Sequence, residues 1–88
     1  MIKATTKNGT HYLIDMEKYI AKRVRGEQSH NKMASDGEWF NFFHVRGFNR
    51  YTQEHQENIE IGKSIYFLLR GSDWRISTDV ISIEEVEI

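Results

Sequence analysis

The chain contains neither cysteine nor proline. Without cysteine there is no disulfide framework and no thiolate metal site. Without proline no residue lacks a backbone donor, which suits a chain that is mostly paired strand. No apolar run approaches the roughly 18 residues needed to span a bilayer, and no charged-then-apolar leader opens the chain. A cytoplasmic protein with no membrane partner is therefore expected. An excess of charge of one sign is also missing. The formal net charge is −1, which argues against an acidic mimic of DNA and lacks the basic surplus usual for nucleic-acid binders.

Signatures of chemistry are equally scarce. The four histidines stand at 11, 30, 44 and 55, and no two are spaced i, i+2 or i, i+4 for a shared metal. No carboxylate-rich ligand loop, nucleophile elbow, phosphate loop or dinucleotide fingerprint occurs. Ser29-His30 places a nucleophile beside a base in sequence, but adjacency in sequence is not triad geometry. Glu84 and Glu85 are neighbours on a strand and so point to opposite faces, a poor arrangement for shared acid–base work. The expectation is a protein that is not an enzyme and holds no cofactor or metal.

What is present is a β-pattern rich in rings. A chain of 88 residues makes one domain, spanning 1–88, and a domain of that size buries roughly 60–65% of its unfolded surface. Five Phe, four Tyr and two Trp supply large burial per residue. The clearest stretch is Ile59 to Val86. Ile65, Phe67 and Leu69 share one face of a first arm, and Trp74, Ile76 and Thr78 share one face of a second. The Gly71-Ser72-Asp73 break between them reads as a hairpin turn. At Val80-Ile81 the apolar parity flips, which requires a bulge, a bend or a change of sheet. A third short strand, Val80 to Val86, is expected to bend away from the second.

Earlier in the chain, Ile2–Lys7 and Thr10–Asp15 flank Asn8-Gly9. Asn-Gly between β-prone runs predicts a hairpin with a type I′ turn. Residues 16–25 fit a helix, through Met16, Ile20 and Val24, or a strand, through Ile20, Lys22 and Val24. The flanking β context favours a strand over Tyr19–Arg25 after a turn at Asp15–Lys18. The polar stretch Gly26–Glu38 reads as a loop. Trp39–Arg46 reads as one strand, with Trp39, Asn41, Phe43 and Val45 on one face and Phe40, Phe42, His44 and Arg46 on the other. Thr52–Asn58 reads as a loop or a short helix. The fold class expected is all-β, mainly antiparallel: a small barrel or strongly bent sheet of about six strands.

Charge is unevenly placed. Residues 1–25 carry Lys3, Lys7, Lys18, Lys22, Arg23 and Arg25 against Asp15 and Glu17, whereas the end of the chain carries Asp79, Glu84, Glu85 and Glu87. The simplest reading sets the basic N-terminal strands beside the acidic last strand as cross-strand pairs. The stretch 39–51 interleaves aromatics with bases. Trp39, Phe42, His44, Arg46, Arg50 and Tyr51 are the candidate partner-binding residues, because aromatic rings and arginine dominate interface hot spots. The same residue types stack unpaired bases and hold phosphates, so single-stranded nucleic acid is the alternative partner. An exposed strand of this kind could also pair with a second copy as a homodimer.

Three segments resemble the short β-rich accessory proteins of bacteriophages and prophages. They are Thr10-His11-Tyr12-Leu13-Ile14-Asp15 after its Asn-Gly turn, Ile61-Gly62-Lys63-Ser64-Ile65-Tyr66-Phe67, and the closing run from Trp74 to Ile83. In similar phage proteins a proline often precedes the last Val; here Asp79 holds that position. The likeness covers both ends and leaves 26–58 unmatched. It implies a non-catalytic inhibitor or modulator of a host protein or ribonucleoprotein, of the anti-CRISPR or host-takeover type, acting in the bacterial cytoplasm. No functional residue carries over from it.

Overall fold

Asn8-Gly9 closes the first hairpin, as the sequence requires. The strands are β1 (Ile2–Thr6) and β2 (His11–Asp15), paired with Thr5 opposite His11 and Ile2 opposite Ile14. The turn differs from the type I′ expected. Thr6 N–H donates to Thr10 O at 2.8 Å and Gly9 N–H to Thr6 O at 3.0 Å. These bonds enclose a three-residue loop in which Gly9 alone takes a positive φ, of 87°. The Asn8 carboxamide instead accepts a hydrogen bond from the Thr6 hydroxyl at 2.6 Å, holding Asn8 in an ordinary backbone region. A loop of this form leaves the left-handed position to glycine alone.

The computed structural model describes residues 1–25 and 37–87. The loop expected over 26–38, and with it Ser29-His30, lies outside the described residues except for Gly37 and Glu38. The chain turns at 16–19, where the Asp15 carboxylate accepts from the N–H groups of Glu17 and Lys18. It continues as β3 (Ile20–Val24), the strand reading rather than the helical one. Then follow β4 (Trp39–Asn41), β5 (His44–Phe48), β6 (His55–Gln56), β7 (Ser64–Leu68), a 3₁₀ turn at Arg70–Ser72, β8 (Trp74–Ile76) and β9 (Val80–Glu85).

These nine strands among the described residues form two antiparallel sheets, in the orders β4-β3-β2-β1-β9 and β6-β5-β7-β8. The mainly antiparallel β class holds. The barrel does not, because the sheets remain separate, and about six strands becomes nine, in part because one expected strand divides and one expected loop supplies a strand.

The division falls inside Trp39–Arg46. Phe42 N–H donates to Tyr19 O at 3.0 Å, on the first sheet's side, and Phe43 N–H donates to Leu68 O at 2.8 Å, on the second sheet's side. Consecutive amides thus serve different sheets, and the expected single strand becomes β4 and β5. The added strand comes from 49–56. The Asn49 carboxamide accepts from the amides of Tyr51 and Thr52, and Asn49 N–H donates to Glu54 O at 2.9 Å. This hairpin delivers β6 to β5, where a loop or short helix was expected.

The parity flip at Val80 is the return crossing. Ile65 N–H donates to the Ser77 hydroxyl at 2.8 Å, and the Ser64 hydroxyl donates to Asp79 at 3.1 Å. Val80 N–H then donates to Lys63 O at 2.9 Å. These bonds pin the corner where the chain leaves β8 and joins β1 as β9, with a register shift between Thr5 and Thr6. Strands that change sheet at bends are the usual way to build corners in packed sheets.

Between the sheets lie Ala4, Tyr12, Ile14, Ala21, Phe42, Val45, Ile65, Phe67 and Val80. Phe67 is the hub. Its ring centroid is 5.4 Å from Tyr12, 5.3 Å from Phe40 and 5.7 Å from Phe42, so one ring from β7 binds both layers together.

Candidate functional site

Alternation along a strand sends every second side chain outward, and on the second sheet those outward positions collect rings. Val45 and Phe67 point inward and are buried; their neighbours Arg46 and Tyr66 stand opposite each other in register on the outer face. The same face carries Phe48 from β5, His55 from β6 and Trp74 from β8. Each of the four strands therefore contributes one ring to a diagonal band.

The contacts along the band are close. Phe48 and His55 have centroids 4.9 Å apart, His55 and Tyr66 4.8 Å, and Phe48 and Tyr66 5.8 Å. Tyr66 and Trp74 are 6.3 Å apart with planes only 15° from parallel. Trp74 is 59% exposed, so the band ends in an open ring face. An open cleft of about 430 Å³ lies over it, lined by Phe48, Arg50, Gln53, His55, Tyr66, Trp74 and Ile76. No carboxylate is among those lining residues. The Arg46 guanidinium carbon sits 5.7 Å from the Tyr66 ring centroid, a cation–π contact. Among the described residues neither Arg46 nor Arg50 is paired with a carboxylate.

A second apolar surface forms where the chain crosses between sheets. Tyr19 takes a positive φ of 56° at the end of the 16–19 turn, which swings its ring against Phe42 at 5.9 Å. Phe43, forced outward because Phe42 faces the core, is 60% exposed; Tyr19 is 54% and Met16 47% exposed. Lys18, Tyr19, Asn41, Phe42, Phe43 and Arg70 line a cleft of about 350 Å³. A neighbouring cleft shares Tyr19 and Phe42 and adds Met16, His44 and Glu57. The Arg70 guanidinium carbon lies 6.0 Å from the Phe43 centroid.

The six residues expected to bind a partner are thus divided. Arg46 lies on the ring band and Arg50 lines its cleft. Tyr51 is 86% exposed at the tip of the 49–54 hairpin. His44 borders the crossing patch. Trp39 lies on the first sheet, with the Lys22 ammonium 5.1 Å from its centroid. Phe42 is a correction: at 5% exposure it is a core ring that only floors the two clefts, because the crossing turns its side chain inward. Sequence reasoning passed over His55, Tyr66 and Trp74 on the band, and Met16, Tyr19, Phe43 and Arg70 on the patch. One usable signal was the shared parity of Trp74 and Ile76, which the register places with Tyr66 rather than with Phe67.

Among the described residues no three His, Asp or Glu side chains come together in a way that could hold a metal ion, and no helix is long and apolar enough to cross a membrane. The His11 pKa is held below its usual value, first by burial and then by the charge of Lys3; His11 lies on β2 of the first sheet and lines neither cleft. Comparison with known protein families, with curated proteins and with solved structures finds no match.

Proposed function

We propose that this chain is a non-catalytic binding domain that docks a protein through the crossing patch. The observation that carries the reading is the pair of large exposed rings Tyr19 and Phe43 on one cleft with Arg70 and Lys18, with exposed Met16 beside Tyr19 on the neighbouring cleft. Tyr, Phe, Met and Arg are the residue types enriched at the desolvated centres of protein interfaces. The patch is also tied together within the chain, by the bonds from Phe42 N–H to Tyr19 O and from Phe43 N–H to Leu68 O, and a surface already ordered lowers the ordering cost of association. The phage-accessory resemblance adds the kind of partner: a host protein or ribonucleoprotein, blocked by occupation of its surface.

The test is capture of partners from a nuclease-treated bacterial lysate, with the wild-type chain and a Tyr19→Ala/Phe43→Ala variant side by side. A specific protein retained by the wild type and lost by the folded variant supports this reading. A partner retained equally by both removes the patch from it.

A further inference from the structure

The ring band is separate from the crossing patch, and its chemistry differs. We propose that the outer face of the second sheet binds an unpaired segment of nucleic acid. Bases stack on the Tyr66–Trp74 pair, Phe48 and His55 form the wall at one end, and Arg46 and Arg50 hold phosphates. The inference does not depend on the protein-docking reading, since none of the residues lining this cleft lines the crossing patch.

Three observations converge on it. The first is ring geometry. Tyr66 and Trp74 lie 15° from parallel with centroids 6.3 Å apart, on adjacent strands whose register fixes them. They present parallel faces to a planar base, and base–aromatic stacking accepts any base because each has a π-face.

The second is charge. The cleft is lined by Arg50 and no acid, and the Arg46 and Arg50 guanidinium groups have no carboxylate partner among the described residues. In a chain whose formal charges nearly cancel, two unpaired arginines flanking one ring band are a local positive site, complementary to phosphate. An apolar protein segment would leave both guanidinium groups unanswered.

The third is selection between strands and duplexes. Gln53, also in the lining, offers an amide that can both donate to and accept from a base edge. A duplex hides its ring faces in its own stack, so a platform of exposed rings has purchase only on unpaired bases.

The experiment uses the full chain with Trp39→Phe, which leaves Trp74 as its single tryptophan. Fluorescein-labelled oligo-dT and oligo-U of about ten nucleotides serve as probes, with a duplex of equal length as comparison. The expected result is single-strand binding that quenches Trp74 emission. It should weaken with salt at a log–log slope between about −1 and −2, as two neutralised phosphates require. Trp74→Ala should lower affinity about tenfold or more, as loss of one stacked base does. Arg50→Gln should lower it several-fold and flatten the salt slope by about 0.7.

Trp74 is largely exposed, so its variant should fold; should it not, the Arg50→Gln slope, read at an exposed hairpin, decides the matter. Four results would overturn the proposal. One is no binding or quenching up to about 1 mM strand. Another is equal affinity for the duplex. A third is affinity unchanged in a folded Trp74→Ala chain. The last is a protein from nuclease-treated lysate that the Trp74→Ala chain no longer retains while the wild type binds no oligonucleotide, which would assign the face to a protein instead.

Discussion

On the first sheet the outward row Trp39, Lys22, Leu13, Lys3 and Glu84 runs in register across all five strands. It mixes charges of both signs. Lys3 stands opposite Glu84, the cross-strand arrangement expected of a basic N-terminal region beside an acidic last strand, and Lys22 covers Trp39. On the second sheet the outward positions carry His55, Phe48, Tyr66 and Trp74, with Arg46 and Arg50 beside them that have no carboxylate partner among the described residues. Both sheets obey the same two-residue alternation and share one core. The difference lies in what gathers outside: charged side chains of both signs in the first row, four contacting rings on the second sheet. Contiguous rings of that kind are the surface character on which the proposed binding face rests.

The largest disruption of this contrast should come from beneath both faces. Phe67→Ala removes the ring that touches Tyr12, Phe40 and Phe42, and about 3–5 kcal/mol of stability should go with it. That is a large part of what a domain of this size holds. Urea unfolding checks it, and both faces should be lost in one transition.

Gly47→Ala should separate the two. A Cβ at Gly47 would stand 2.5 Å from the Asn58 carbonyl oxygen, so the backbone that carries β6 must move. A cost of about 1–3 kcal/mol is expected from overpacking. In NMR spectra the His55 and Trp74 ring signals should shift while those of His11, on the first sheet, stay in place. Equal movement of His11 would show that the two sheets respond as a unit.

The smallest effect sharpens the electrostatic side. Burial and Lys3 hold the His11 pKa below 6.5. A group whose folded pKa is depressed binds its proton more readily when unfolded. Its contribution to stability is therefore whole above pH 6.5 and is lost as pH falls from there through the lowered folded value. Lys3→Gln removes the second cause only. The His11 pKa, followed by NMR titration, should rise toward 6.5 while remaining below it, and the acid side of the stability profile should flatten slightly. No change would leave burial as the whole cause.

Much of the architecture was legible in the residues. The Asn8-Gly9 hairpin, the Gly71-Ser72-Asp73 turn and the departure at Val80 follow from alternation and turn chemistry, which are local; the strand over 20–24 followed from its β flanks, since its own spacing fitted a helix as well. The break at Phe42-Phe43 was not legible. With rings at both parities, Trp39–Arg46 matches one continuous strand as well as two, and only Tyr19 O and Leu68 O, waiting on different sheets, decide between them. The same crossing made Phe42 a core ring and Phe43 a surface one.

By itself the sequence determined that this chain pairs its strands, which residues alternate together, and that more rings exist than a small interior holds. Tertiary structure alone decided which rings remain outside. A residue's parity is set by its own strand, but whether that parity means core or water depends on what the opposing sheet places against it. Trp74 and Tyr66 became a platform because Arg75 and Phe67 took the inward positions beside them.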